Sequence, residues 1–201
     1  SWGQFIARKN GLTAYNFSRG GMTAKEYIES FAESNDFFNT DKACQCYVIA
    51  LGANDLNSDI EIGSVNDINK EDYTQNKQTF LGFYGAIISR YKAISPDAKF
   101  FLVSFPRDDS RTTNPKFKTF YNELYNLTKL FNNCYVIDLY KYGPVYDADF
   151  KKQFFLHGHM NPSGYVLTAE LIDSYIDFII RHNPEDFCNV GFINSGIKYE
   201  F

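Results

Sequence analysis

The sequence predicts an α/β fold with a parallel sheet and helices on both faces, and three observations carry that expectation. Three runs, Cys46–Leu51, Lys99–Ser104 and Tyr135–Leu139, are almost continuously apolar, as interior parallel strands buried on both sides must be. Between and after them lie stretches whose apolar residues recur at three and four. Strand and helix therefore alternate, which implies right-handed crossovers and collects function in the loops at the carboxyl ends of the strands.

Each element has a local reason. Trp2 to Lys9 reads as a short helix closed by Asn10-Gly11, and Thr13 to Phe17 as a short extended run before Gly20-Gly21. Thr23-Ala-Lys-Glu26 fits a capping box, and Tyr27, Ile28, Phe31 and Ala32 follow at helical spacing. After the strand at Cys46, residues 58–73 read as a polar excursion with Asp67 capping a turn. Phe80, Tyr84, Ile87, Ile88 and Tyr91 mark a long helix within Thr74 to Ala93, stopped by Ser95-Pro96. Asn114-Pro115 and Asn161-Pro162 are cap and first-turn pairs opening two further helices, the second running to His182-Asn-Pro184. Tyr140 to Lys152 reads as a loop.

At 201 residues the chain is the size of one domain, 1–201, with no internal repeat or linker, and buries roughly 70% of its extended surface without a staple. Twenty Lys and Arg against 24 Asp and Glu leave a formal net charge of -4, which argues against nucleic acid as a partner. No run approaches the roughly 18 apolar residues of a membrane span. The 20 Phe and 15 Tyr imply a dense core, with aromatic surface left for a ligand. Cys44, Cys46, Cys134 and Cys188 are spaced as buried free thiols rather than as a bridge framework, which favours the cytoplasm while leaving secretion open. The apolar tail 186–201 is expected to pack on its own domain or across a homodimer.

The loops are the chemical candidates. No glycine-rich phosphate fingerprint and no His-Glu-x-x-His occurs, so no cofactor is assigned. His157 and His159 would share a face of an extended segment, but a metal there would need carboxylates from elsewhere. Acyl transfer fits better. Gly52-Ala-Asn54-Asp55 offers amide donors for an oxyanion at a strand's end, and His159, just before a helix, is placed as a base. The same residues also fit an Asx turn and a helix cap. Asp55, Arg107, Tyr142 and Tyr146 are candidate substrate-binding residues. Arg107 would meet an anionic substrate or a surface ion pair, and the two tyrosines with Tyr140 would form a sugar-stacking wall or pack their own loop.

Taken together, these residues resemble the SGNH hydrolases, the GDSL-like lipase and acylhydrolase family. Asn16-Phe-Ser-Arg-Gly-Gly21-Met-Thr23 matches the second sequence block, Gly52-Ala-Asn54-Asp55 the third, and His159-Met-Asn-Pro-Ser-Gly164-Tyr165 the fifth. The resemblance implies a three-layer α/β/α sandwich with a flavodoxin-like parallel sheet and no cofactor. It also implies an ester substrate, small-molecule or carbohydrate, with Gly21 and Asn54 as oxyanion donors and His159 as base. Two positions depart from the pattern. The nucleophile block, Gly-Asp-Ser upstream of a helix like Trp2 to Lys9, is not in the sequence, and Ser1, Ser18, Ser58 and Ser104 do not match it. Leu156 stands where the family has an Asp three residues before the base, leaving His157, Asp147 and Asp149 as local substitutes. The expectations are therefore a serine-type ester hydrolase or, in its place, a catalytically incomplete scaffold that binds a ligand.

Overall fold

Three parallel strands form the sheet, β1 (Cys46–Ile49), β2 (Lys99–Val103) and β3 (Cys134–Ile137), in that order, with Cys46 opposite Lys99 and Phe100 opposite Cys134. The structure, a computed structural model, describes residues 1–187 apart from the side chains of Ser110 and Thr112. Most of the predicted tail, 188–201, lies outside the described residues. The helices in chain order begin with α1 (Trp2–Asn10) and α2, which runs from Ala24–Glu26 through a π turn at Tyr27–Phe31 into Ala32–Ser34. Next come α3 (Ala53–Leu56), α4 (Phe80–Ile94), α5 (Pro115–Leu130), α6 (Ala148–Phe154) and α7 (Pro162–His182). A small antiparallel hairpin, β4 (Phe155–Leu156) and β5 (His159–Met160), precedes α7.

Strand periodicity divides the interior into two cores. On one face Phe100 and Leu102 of β2 join Tyr47, Ile49 and Cys134 beneath α2, α4 and α5. On the other, Phe101 and Val103 join Ile137 with Ile6 of α1 and Ala169, Ile172 and Ile179 of α7. Every residue of β2 is buried, Phe100–Val103 as an interior apolar strand requires and Lys99 with its Nζ donating to Asn133 Oδ1. α4 and α5 lie on the same face because two successive crossovers of one hand, stepping the same way across the sheet, must do so. α7 follows β3 onto the opposite face, beside α1, where Lys9 bridges Glu170 at 2.6 Å and Asp173 at 3.0 Å. The result is the three-layer α/β/α arrangement.

The Asn-Pro pairs cap as their residue types dictate. Asn114 accepts from the Lys116 amide and Asn161 from that of Gly164. Elsewhere the chain departs from expectation. Thr13 to Phe17 forms no strand, since no described strand lies beside it to complete a ladder, and Phe17 instead stacks on Phe37 at 4.5 Å. Thr23 caps α2, but Glu26 does not close the box because its carboxylate pairs with Arg19. The full capping box is at Ser64, with Asp67 reaching back to the Ser64 amide. The long helix starts at Phe80, capped by Thr79, because Tyr73–Gln75 makes a separate 3₁₀ turn. The 140–152 loop is partly helical. Asp138 caps one turn at Leu139–Tyr142 and Asp147 caps α6. Cys44, Cys46 and Cys134 are free thiols, and burial pushes Cys46 and Cys134 up to about 12, which keeps them protonated and inert. Among the described residues no helix is long and apolar enough to cross a membrane, and no three His, Cys, Asp or Glu side chains are grouped to hold a metal.

Candidate active site

At the carboxyl end of β1 the chain turns sharply through Gly52, whose φ is +120° and whose missing Cβ would lie 2.8 Å from the Phe80 ring. No other residue tolerates both the dihedral and the approach. The turn opens α3 and sets Asn54 and Asp55 beside the segment that leads into α2. Asn54 Nδ2 donates to the Met22 carbonyl at 2.9 Å, and Asp55 Oδ1 accepts from the Ala24 amide at 2.9 Å. Two struts thus tie the Gly21–Ala24 segment to α3. Gly21, at φ +75°, adjoins the first strut and is exposed.

These contacts define what each group has left to offer. A carbonyl accepts only from the nitrogen of the Asn54 amide, which fixes the amide's orientation and leaves its second N–H for another acceptor. Asp55 is fully buried, and its Oδ2 has no hydrogen-bond partner among the described residues. Burial pushes its pKa up, against the pull of the Ala24 and Asp55 amides. Asp55 is therefore a buried anchor of the Gly21–Ala24 segment.

His159 sits in the β4–β5 hairpin, where Leu156 is its cross-strand partner. The two residues between them both have positive φ, His157 +50° and Gly158 +81°, the signature of a type I′ turn. His157 is thus the turn residue, and the two imidazoles do not lie along one face of an extended segment as expected. Asn161 locks the hairpin to α6 through its amide N–H to Phe154 O and its side chain to Gln153 O. The His159 imidazole is exposed and makes no hydrogen bond among the described residues. Of its candidate orienters, Asp147 is engaged by the Phe150 amide and Asp149 is exposed in the first turn of α6.

The serines have structural partners of their own. Ser18 Oγ donates to Asn16 Oδ1, Ser58 Oγ to the Asp55 carbonyl, and buried Ser104 accepts from the Tyr140 amide, while Ser1 precedes α1. The three tyrosines expected to form a wall go to three places. Tyr146 is 5% exposed and stacked on Phe150 at 4.3 Å, Tyr140 packs on Tyr121 at 4.7 Å, and Tyr142 is 64% exposed near Tyr175. Tyr146 is a core residue because its ring closes the α6 aromatic cluster, so it presents no face to a ligand.

Arg107 is exposed in the loop after β2. That loop is tied towards both halves of the site. Asn114 Nδ2 donates to the Leu56 carbonyl at the end of α3, while the Tyr146 amide donates to Arg107 O and Lys151 of α6 reaches Asp108 at 3.1 Å. The connecting role of Asn114 and the place of Asp138 are not apparent from local sequence pattern. Asp138, buried at the end of β3, accepts from the Tyr121 and Tyr125 hydroxyls and the Lys141 amide. An Asp directly after an apolar strand was the available signal for the second.

The fold is thus a parallel α/β sandwich in which the strand ending in Gly-x-Asn-Asp fixes an amide side chain at its carboxyl end. The chain belongs to the GDSL-like lipase/acylhydrolase family, which it matches over residues 1–172. That membership points to hydrolysis of an ester. A solved structure of a possible lipase from Chitinophaga pinensis shares the fold, with a TM-score of 0.60 at 16% identity over 89% of this chain and 87% of that one. No curated protein matches the sequence.

Proposed function

We propose that this protein is a serine-type carboxylic-ester hydrolase for small-molecule or carbohydrate esters, sugar deacetylation being its most specific form. The observation that carries the reading is the strut from Asn54 Nδ2 to Met22 O, which ties the Asn54 amide to the residue after Gly21 and leaves its second N–H for another acceptor. That N–H and the Gly21 amide suit the oxygen of a tetrahedral intermediate. Ser18, Ser58 and Ser104 sit in structural hydrogen bonds, so the nucleophile is taken to be a serine of the family's Gly-Asp-Ser type. Its Oγ attacks the ester carbonyl carbon while His159 takes the Oγ proton. The oxyanion receives N–H groups from Gly21 and Asn54. Collapse expels the alcohol, which leaves with the proton from His159, and water then releases the acid by the same route.

A specific observation favours a second reading, a ligand-binding scaffold without catalysis. The His159 imidazole has no orienting hydrogen-bond partner among the described residues, and Leu156 occupies the family's Asp position. Hydrolysis of 4-nitrophenyl acetate by the full-length protein separates the two. Asn54→Ala should lower kcat by about 10²- to 10³-fold, the usual cost of one oxyanion donor, and His159→Ala should abolish turnover. Equal rates for wild type and both variants would favour the scaffold.

A further inference from the structure

We propose that the cavity between the carboxyl ends of β2 and β3 is an anion-recognition subsite, and that the ester substrate carries a small oxyanion such as a carboxylate. The inference rests on the ester-hydrolase reading and names its substrate class. The cavity has a volume of about 50 Å³, room for one compact charged group rather than a sugar ring, and is lined by Arg107, Arg111, Lys118, Asn114, Tyr121 and Tyr140. Three cationic residues contribute to this lining in a chain whose net charge is -4. Asp108 also contributes to the lining, but its carboxylate lies 3.1 Å from Lys151 Nζ and so brings a cation of its own. Among the described residues the salt bridges do not include Arg107, Arg111 or Lys118. Such a concentration of like charge is repulsive unless an anion relieves it.

The walls are preorganised. The Arg111 guanidinium is held 5.2 Å over the Phe105 ring and 5.8 Å over Phe117, which limits its freedom without neutralising it. Tyr121 is fixed by donating its hydroxyl to Asp138, and Tyr140 packs against it. The cavity is also tied to both parts of the candidate site. Asn114 bonds to the end of α3, which carries Asn54, while the Arg107–Tyr146 and Asp108–Lys151 contacts bind the loop to the segment that leads to His159. A substrate with its ester over Asn54 would extend its charged end along this loop.

Two 4-nitrophenyl esters with four-carbon acyl groups test this, the neutral butanoate and the singly charged hydrogen succinate, each assayed with full-length wild type and an Arg107→Gln/Lys118→Gln variant. Both replaced side chains are exposed, and circular dichroism verifies that the variant is folded. The ratio of kcat/KM for the succinate to that for the butanoate should fall by roughly tenfold or more in the variant, the scale of one lost charge-assisted hydrogen bond. Calorimetry with free succinate reads the same cavity without turnover and should show a comparable loss of affinity. If wild type hydrolyses neither ester, the hydrolase reading fails, while succinate affinity still decides the subsite. An unchanged ester ratio, or succinate binding equal in wild type and variant, overturns the proposal. Binding of inorganic phosphate without any preference between the esters overturns its substrate half.

Discussion

Asp55 shows how a residue next to a candidate oxyanion donor serves it by anchoring the backbone. Its carboxylate is buried with Oδ1 held by the Ala24 amide, and Oδ2, without a partner among the described residues, makes the charged form costly. Its folded pKa is therefore raised above the ordinary 3.8. The sign follows from linkage. Between the unfolded and folded values the native state binds the proton and the unfolded state does not, so stability falls as pH rises through that window and the penalty persists above it. Asp55→Asn keeps an acceptor for the Ala24 amide and removes the titration. The stability of Asp55→Asn relative to wild type, from urea midpoints, should increase from pH 4 upward and level off once wild-type Asp55 is ionised; a difference flat across that range would show that the carboxyl is not perturbed. Asp55→Ala should instead lie about 1–3 kcal/mol below Asp55→Asn at every pH, because it orphans a buried N–H. The place of Asn54 after a strand was legible from the motif, whereas the strut role of Asp55 was not. That role depends on Ala24, 31 positions earlier, and no local pattern reports such a pairing.

Elements defined by long periodicity were legible and those defined by a few residues were not. The 16-residue α5 and 21-residue α7 carry both a stripe and an Asn-Pro start, so local and tertiary preferences agree. The β4–β5 hairpin has two residues per strand, too few for any period, and its turn is His-Gly rather than the familiar Asn-Gly. Thr13–Phe17 failed for the opposite reason, since its extended pattern needs a neighbour that sequence periodicity does not supply. The hairpin makes a direct prediction. Nothing lies within 4 Å of a Cβ placed on Gly158, so the cost of Gly158→Ala comes from its +81° φ alone, about 1–2 kcal/mol. Because the hairpin aims His159, Gly158→Ala should lower kcat/KM for 4-nitrophenyl acetate severalfold while shifting the thermal midpoint by only a few degrees. His157→Asn, which suits positive φ better, should retain activity. Loss of activity in His157→Asn equal to that in His159→Ala would make His157 part of the catalytic machinery instead of the turn.

At the scale of the molecule, β2 is the element both layers share. Leu102 points into the core under α4 and α5, and the next residue, Val103, into the core under α1 and α7. The two cores contain different residues, yet neither closes without this strand, so the layers should melt as one unit. The chain's one tryptophan makes this measurable, because Trp2 packs against the α1–α7 core and reports that layer, while far-ultraviolet circular dichroism reports helices on both faces. Leu102→Ala should cost about 2–5 kcal/mol and Val103→Ala about 1–3 kcal/mol. In each variant Trp2 fluorescence and circular dichroism should trace a single urea transition with coincident midpoints. The telling case is Leu102→Ala, whose cavity opens on the face away from Trp2. If the Trp2 midpoint stayed at the wild-type value while the helical signal moved, the α1–α7 layer would be folding independently. The loop that links α3 to the His159 hairpin would then have to be held by its own contacts, not by the sheet.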